Sequence, residues 1–381
     1  MLDARIQRSR PASNGTKIHY IAALRLPTGR AHGYAIMKMC EQFAAAGARV
    51  ELIAPARSYG IQEDPFTYYR IQRIFSIRKL RATDFLGMRE GSRLSFALDQ
   101  FTFFLSLWRQ NWNDSIVYTR DYQVALYVRS KNIVLEVHSI PERSYLFLRS
   151  LTRARNIIVI SNGLKEALVE YGVEPKKILV APDAVDVSEF EITPSRDVWL
   201  DYGVDPTKKI VLYTGHFYGW KGGETLARAA PFLSQDVEVV LMGGVDKELA
   251  EFQKAYANDH VHVIGFQPRE RIPHLLMMAD VLVLPNSARP KLSSHYTSPL
   301  KLFQYMASGI PIVASYLPSI REILTNETCF WFTPDDEEAL ARQVEYVLTH
   351  PDEARTKAAQ AQEVVKRYTW DARAKAILAS I

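Results

Sequence analysis

"KIVLYTGHFYGWKGGETLARAAPFLSQDVEVVLMGG", residues 209–244, contains the unit from which the chain is built. "KIVLYT" and "VEVVLM" are β-branched and apolar runs of strand character. Between them lie a glycine-bearing loop and the helical run "GETLARAAPFL". Strand, helix and strand in close succession make a βαβ unit, and its repetition predicts a mostly parallel sheet with helices on both faces.

The alternation extends in both directions. Downstream come "VDKELAEFQKAYA", "VHVIGF", "RIPHLLMMA", "DVLVLPN", then "TSPLKLFQYMASGIPIVAS" at 297–315, "CFWFT" and helices from "DDEEALARQVEYVLTH" onward. Upstream, "KIHYIAAL", "RVELIAP", "SIVYTR", "NIVLEVH", "NIIVISN" and "KILVAPDA" read as strands, with helices "YAIMKMCEQFAAAG" and "GLKEALVEYG" among them. "EITPSRDVWLDYGVDPTKK", 191–209, breaks the rhythm with prolines and charges and is expected to be a linker. The fold class is α/β: two Rossmann-like doubly wound domains, 17–191 and 192–365, facing a cleft. Residues 1–16 are expected to be a mobile leader, and 366–381 a closing helix. Ligands of such sheets bind beyond the carboxyl ends of the strands.

Composition narrows the class. Of 381 residues, 48% are apolar and 23% charged, as in a folded soluble chain. No apolar run reaches membrane-spanning length, and the amino-terminal stretch lacks the apolar centre of a secretory signal. Cys40 and Cys329 stand far apart, which fits two buried thiols in a reducing cytosol rather than a disulfide or metal site. Residues 1–190 carry 27 Lys and Arg against 18 Asp and Glu, while 191–381 carry 20 against 24. The excess is partly local. Residues 56–93 hold eight Arg or Lys among aromatic and aliphatic side chains, followed by "LSFALDQFTFFLSLWRQ". This stretch reads as a helix pair with solvated arginines, or as a surface for anionic membrane or nucleic acid.

Four stretches carry candidate chemistry. In 297–309, Thr297 or Ser298 is placed to cap a helix, with Pro299 in its first turn. Amides at a helix mouth bind anions, and Lys301 adds a charge one turn in. In 211–226, Gly215, Gly219, Gly222 and Gly223 let backbone approach a ligand, and Lys221 ends the loop. The spacing is neither a Walker lysine loop nor a dinucleotide fingerprint. In "VLEVHSIPE", His138 follows a strand and Glu136 lies on the same face. In "RLPTGRAHGYAIM", His32 and Gly33 stand near a helix start.

Taken together, "LEVH", "ISNGLKEAL", "VAPDAVDVSEF", "YTGHFYGWKGG", "ADVLVLP" and "SPLKLFQYMASGIPIVAS" resemble, in order, retaining GT-B glycosyltransferases of family 4. The resemblance runs over about residues 17–381, and "RYTWDARAKAIL" resembles the family's closing helix, which crosses back onto the first domain. It implies a nucleotide-sugar donor on the second domain and an acceptor on the first. By position, Lys221 contacts the donor diphosphate, and Ser298, Pro299 and Leu300 cradle its distal phosphate beside Lys301. Gly243, Gly265, Phe266 and Gln267 line the base pocket. His138 lies near the transferred sugar, and Gly33 approaches the diphosphate from the first domain. Lys221 and His138 are the catalytic candidates.

Three positions depart from the family pattern. Its two glutamates, eight apart, are replaced by Tyr296 and Gln304, and an arginine before the phosphate lysine by His216. Gln304 keeps one acceptor oxygen for ribose, and Tyr296 has a phenol to offer the sugar. The resemblance implies metal-independent glycosyl transfer to a glycan or lipid-linked acceptor, in surface polysaccharide or glycoconjugate synthesis. The nucleotide sugar is a co-substrate, and no cofactor, metal or nucleic acid is expected. The basic first domain would rest on the inner face of a membrane, the rest in the cytoplasm. A non-catalytic nucleotide-sugar binder and a sugar-nucleotide epimerase are the alternatives.

Overall fold

The computed structural model describes residues 15–57, 60–82, 93–141 and 144–381. The expected leader lies outside the described residues up to residue 14. The chain forms two compact units. The first comprises residues up to Ile160, Leu164–Ala181 and Trp370–Ile381; the second comprises Ser161–Gly163 and Pro182–Thr369.

The first unit holds a seven-stranded sheet in the order β3-β2-β1-β4-β5-β6-β7. Its strands are Lys17–Ile21 (β1), Arg49–Ala56 (β2), Ser76–Arg81 (β3), Ile116–Thr119 (β4), Ile133–Val137 (β5), Asn156–Val159 (β6) and Ile178–Val180 (β7). The second holds six strands in the order β10-β9-β8-β11-β12-β13. These are Lys209–Thr214 (β8), Val237–Met242 (β9), Val261–Ile264 (β10), Val281–Leu284 (β11), Ile312–Ser315 (β12) and Phe330–Phe332 (β13). All the pairings are parallel. Strands such as "VEVVLM" are buried along their whole length because helices cover both faces. In the second unit, Leu212, Val240, Leu282 and Phe303 pack on one face, and Val211, Val239, Val283 and Leu340 on the other. Each sheet reverses direction once, between β1 and β4 and between β8 and β11, and ligands of such sheets bind at that reversal.

Two sequence expectations are revised. In place of a helix pair, the described residues of 56–82 form the helix Pro65–Tyr69 and edge strand β3, paired with β2 from Glu51↔Ser76 to Ala56↔Arg81, and the helix Arg93–Trp108 follows; residues 83–92 lie outside the described residues. The β3 sequence, "SIRKLR", is charged as edge strands are, and Arg78 reaches Glu51 on β2 at 3.0 Å. The expected linker at 191–209 is packed structure. A 3₁₀ helix, Arg196–Tyr202, seats Trp199 in the core of the second unit, where its indole donates to the Met278 carbonyl at 2.9 Å. The contact boundary falls at Ala181/Pro182, ten residues before the sequence-based one.

Candidate functional site

The site of the second unit is built at the β8/β11 reversal. The loop after β8 runs from Gly215 into a short 3₁₀ turn, Gly219–Lys221. Gly222 has φ 76°, and a Cβ there would stand 1.6 Å from the Pro285 carbonyl just beyond β11. Glycine is therefore what lets the two loops meet. Ser287 N–H donates to the Trp220 carbonyl at 3.1 Å, which ties the loops together again. Lys221 is fixed by this clasp. Its ammonium lies 4.1 Å from the Trp220 ring centre. Burial pulls it down to about 8, while the charge of Asp183 acts the other way.

The second cation comes from the helix Leu300–Ser308, which ends on Gly309 in the left-handed conformation. Pro299 occupies the position before the helix, and no side chain caps it. Ser298 Oγ instead accepts from the Asp183 N–H at 3.1 Å. The expected Thr297 or Ser298 cap is therefore replaced by an uncapped amide mouth. Lys301, 8% exposed, points its ammonium over the Tyr213 ring at 3.8 Å, and Nζ has no hydrogen-bond partner. Burial, and then the charge of Lys221, hold it well below the usual lysine range. Residues 221 and 298–301 thus converge on one spot. Two ammonium groups and a helix mouth share it with one nearby carboxylate, Asp183, an arrangement that fits a multiply charged anion.

The neighbouring strand ends lie beside the Lys221 loop. Gly215 N–H donates to the Met242 carbonyl at 2.8 Å, and Gly243 N–H to Ile264 at 2.9 Å. A Cβ on Gly243 would lie 2.1 Å from the Gly215 carbonyl. Gln267 accepts from the Tyr202 hydroxyl at 2.7 Å and donates to the Gly265 carbonyl at 3.2 Å. Phe266 is exposed, Gln304 is half-buried one turn beyond Lys301, and Tyr296 closes a π-helical turn, Leu292–Tyr296. His216, where the family has arginine, pairs with Glu248 at 3.1 Å. Asn286, Tyr213 and Tyr305 were not singled out from the sequence. The Tyr305 hydroxyl accepts from Thr214 N–H at 2.8 Å and so joins β8 to the helix Leu300–Ser308.

His138 and Gly33 belong to the first unit. The Arg120 guanidinium donates to His138 Nδ1 at 2.8 Å, so the proton resides on Nε2, which donates to Glu136 at 2.6 Å. Glu136 also binds the Tyr118 hydroxyl, and Arg373 at 2.9 Å. Burial opposes its charge, but Arg373, His138 and Arg120 hold the carboxyl well below the usual range. His32 sits in the same cluster; burial, then Arg120, Arg30 and His138, push it down to about 4. Glu136 is thus engaged by three side chains, and Asp121, also in the first unit, accepts from Ala23 N–H at 2.7 Å. Gly33 has a packing reason. A Cβ would meet the Tyr69 hydroxyl at 2.3 Å, and that hydroxyl is held by Thr28.

A family model described as "Glycosyltransferase Family 4" matches residues 33–189, and one described as "Glycosyl transferases group 1" matches residues 201–364. An uncharacterized glycosyltransferase of Methanocaldococcus jannaschii is 26% identical over 231 residues, 58% of this chain and 57% of that protein. The match thus spans less than two thirds of that relative. Among solved structures, sucrose-phosphate synthase from Thermosynechococcus elongatus superposes with a TM-score of 0.74 at 20% identity, over 94% of this chain and 96% of that one. Anabaena HepE in complex with UDP and glucose gives 0.73 at 17% identity, over 95% and 98%. With a glycosyltransferase model on each parallel-sheet unit and the same fold across both solved neighbours, the chain belongs to the family 4, group 1 glycosyltransferases of GT-B fold.

Proposed function

We propose that the chain transfers a glycosyl group, with retention, from a nucleotide-sugar donor to a hydroxyl of a glycan or lipid-linked acceptor. The observation that carries this reading is the convergence of Lys221, Lys301 and the uncapped mouth of Leu300–Ser308. The solved HepE complex contains UDP and glucose, which supports a nucleoside diphosphate as the ligand of this fold. The bond from the anomeric carbon to the diphosphate breaks as the acceptor oxygen attacks the same face. The acceptor proton passes to the departing phosphate oxygen. Negative charge grows on that phosphate, and the two lysines and the helix amides meet it without calling on a metal ion. Gly243, Gly265, Phe266, Gln267 and Gln304 are assigned to the nucleoside. Tyr296 and His138 are assigned to the sugar, and Gly33 to the diphosphate, on the resemblance alone.

Among the described residues no helix is long and apolar enough to cross a membrane. The helix Arg93–Trp108 nevertheless exposes Leu98, Phe101, Leu105 and Trp108, which fall on one face, with Arg129 stacked over Trp108 at 5.0 Å. This supports work at the cytoplasmic surface of a membrane that carries the acceptor, in surface-glycan synthesis.

The test is Lys221→Ala, assayed for nucleoside diphosphate release from a nucleotide-sugar and acceptor panel. Transfer should fall roughly a hundredfold or more; undiminished transfer would remove the donor-site assignment. Tyr296 and Gln304 in place of glutamates favour one second reading, a binder without turnover. Calorimetric binding of the donor with no nucleoside diphosphate released by any acceptor would establish it.

A further inference from the structure

The loop that ends in Lys221 is tied down at both ends. The clasp at Trp220 and Gly222 fixes its far end against the loop after β11. Its near end is held from the helix Asp246–Tyr256. Phe217 N–H donates to Glu248 Oε1 at 2.6 Å, and His216 Nδ1 stands 3.1 Å from Glu248 Oε2. The Phe217 ring stacks on Phe252 of the same helix, with 4.1 Å between ring centres. Between the two ties, Tyr218 is exposed, and a Cβ on Gly219 would meet no described atom within 4 Å. The near end therefore takes its place from the helix.

Two features set Glu248 apart from an ordinary surface carboxylate. It stands in the first turn of its helix, where an acidic side chain commonly serves the free N–H groups of the helix start. That start has no side-chain cap, and both Glu248 oxygens turn to the loop instead. The segment it holds also reaches the second cation. The Tyr213 hydroxyl donates to the His216 carbonyl at 2.6 Å, and the face of the same ring carries the Lys301 ammonium at 3.8 Å. Contacts thus run from Glu248 to His216 and Phe217, on to Tyr213, and from there to Lys301.

We propose that Glu248 is a positioning residue of the anion cradle. By holding His216 and Phe217 it keeps the Lys221 loop and the Tyr213 ring where both ammonium groups meet one diphosphate. This deepens the donor reading and rests on it for the identity of the anion. His216, in the place of the family's arginine, is part of the same hold. The sign of the effect separates positioning from plain charge. A carboxylate near a bound anion repels it, so a Glu248 that acted only as a charge would weaken binding, and its removal would tighten it. A Glu248 that positions the loop does the reverse.

Inorganic pyrophosphate, which needs no base pocket, is titrated by calorimetry into the full chain as parent, Lys221→Ala, Glu248→Ala, Glu248→Gln and Glu248→Asp. Glu248→Ala should bind roughly tenfold or more weakly than the parent, for the loss of hydrogen bonds to a charged acceptor. Glu248→Gln keeps an oxygen for Phe217 N–H and should recover most of that loss. Glu248→Asp keeps the charge but is one methylene shorter, so it should also bind more weakly, and it carries the test if Glu248→Ala does not fold by its urea transition. Equal or tighter binding by folded Glu248→Ala, or parent-like binding by Glu248→Asp in its stead, overturns the proposal. Binding lost in Lys221→Ala but unchanged in Glu248→Ala removes the positioning role alone and leaves the donor site standing. Pyrophosphate that does not bind the parent, or binds parent and Lys221→Ala alike, removes the donor reading and the positioning role with it.

Discussion

Lys221 and Lys301 are held in conflict by the residues around them. Lys301 is buried and Lys221 half-buried, each ammonium repels the other, and Asp183 offsets only part of the cost for Lys221. The proposed diphosphate would resolve that conflict, so the unliganded protein should record it in its pH dependence. Lys221 has a folded value of about 8, below the ordinary 10.5 of the unfolded chain. Between these values the unfolded state binds more protons, so this group makes stability rise with pH across that window. Stability of the parent minus that of Lys221→Met, measured by urea unfolding, should therefore increase from pH 8 to about 10.5. Saturating UDP should flatten the increase. A difference that is level or falls with pH would remove the unmet charge from Lys221. The lysines, the glycines and the helix start were legible in residues 211–226 and 297–309. The partners were not: Asp183 comes from another segment, and Tyr213 and Tyr305 meet Lys301 and Thr214 only where the two stretches come together in the fold.

The closing helix, Trp370–Ser380, shows what one element contributes. It counts with the first unit, where Asn156 donates to the Ser380 carbonyl at 2.7 Å and Trp370 meets Tyr34 edge-on. Its Arg373 crosses to Glu136 on β5, and both side chains are almost wholly buried. Removing one partner of a buried ion pair strands the other charge. Arg373→Met should lower stability by about 3–5 kcal/mol, read from the urea midpoint. Adding Glu136→Gln should restore part of the loss, since a neutral amide needs no cation; no restoration would mean that Arg373 acts through packing. Strand β3 was hidden in the sequence by its arginines. Edge strands lack the apolar signature of central ones, so only the pairing with β2 reveals it. Trp199 likewise sits among prolines and charges, and only its seat against the carbonyl of Met278 shows that the segment is core.

At the scale of the whole molecule, charge is segregated: the basic excess belongs to residues 1–190 and the acidic one to 191–381. The exposed stripe Leu98, Phe101, Leu105 and Trp108 lies in the basic half. Sedimentation with vesicles containing phosphatidylglycerol should occur at low salt and weaken as salt rises, because exposed charges are screened. Phe101→Ser with Trp108→Ser should abolish it without changing UDP-glucose binding; equal sedimentation by parent and variant would move the membrane surface elsewhere or remove it. Both cysteines, Cys40 and Cys329, are buried free thiols, as their spacing implied. The sequence by itself determined the α/β class, the two doubly wound sheets, and the glycine-bearing loop and helix start that carry Lys221 and Lys301. Periodicity, glycine placement and helix starts are local properties, and a chain writes them in consecutive residues. Tertiary structure alone decided which charges are left unmet. Lys301 over Tyr213 and Glu136 beneath Arg373 depend on burial and on partners 88 and 237 residues away. Desolvation is a property of the packed interior, and no stretch of sequence carries it.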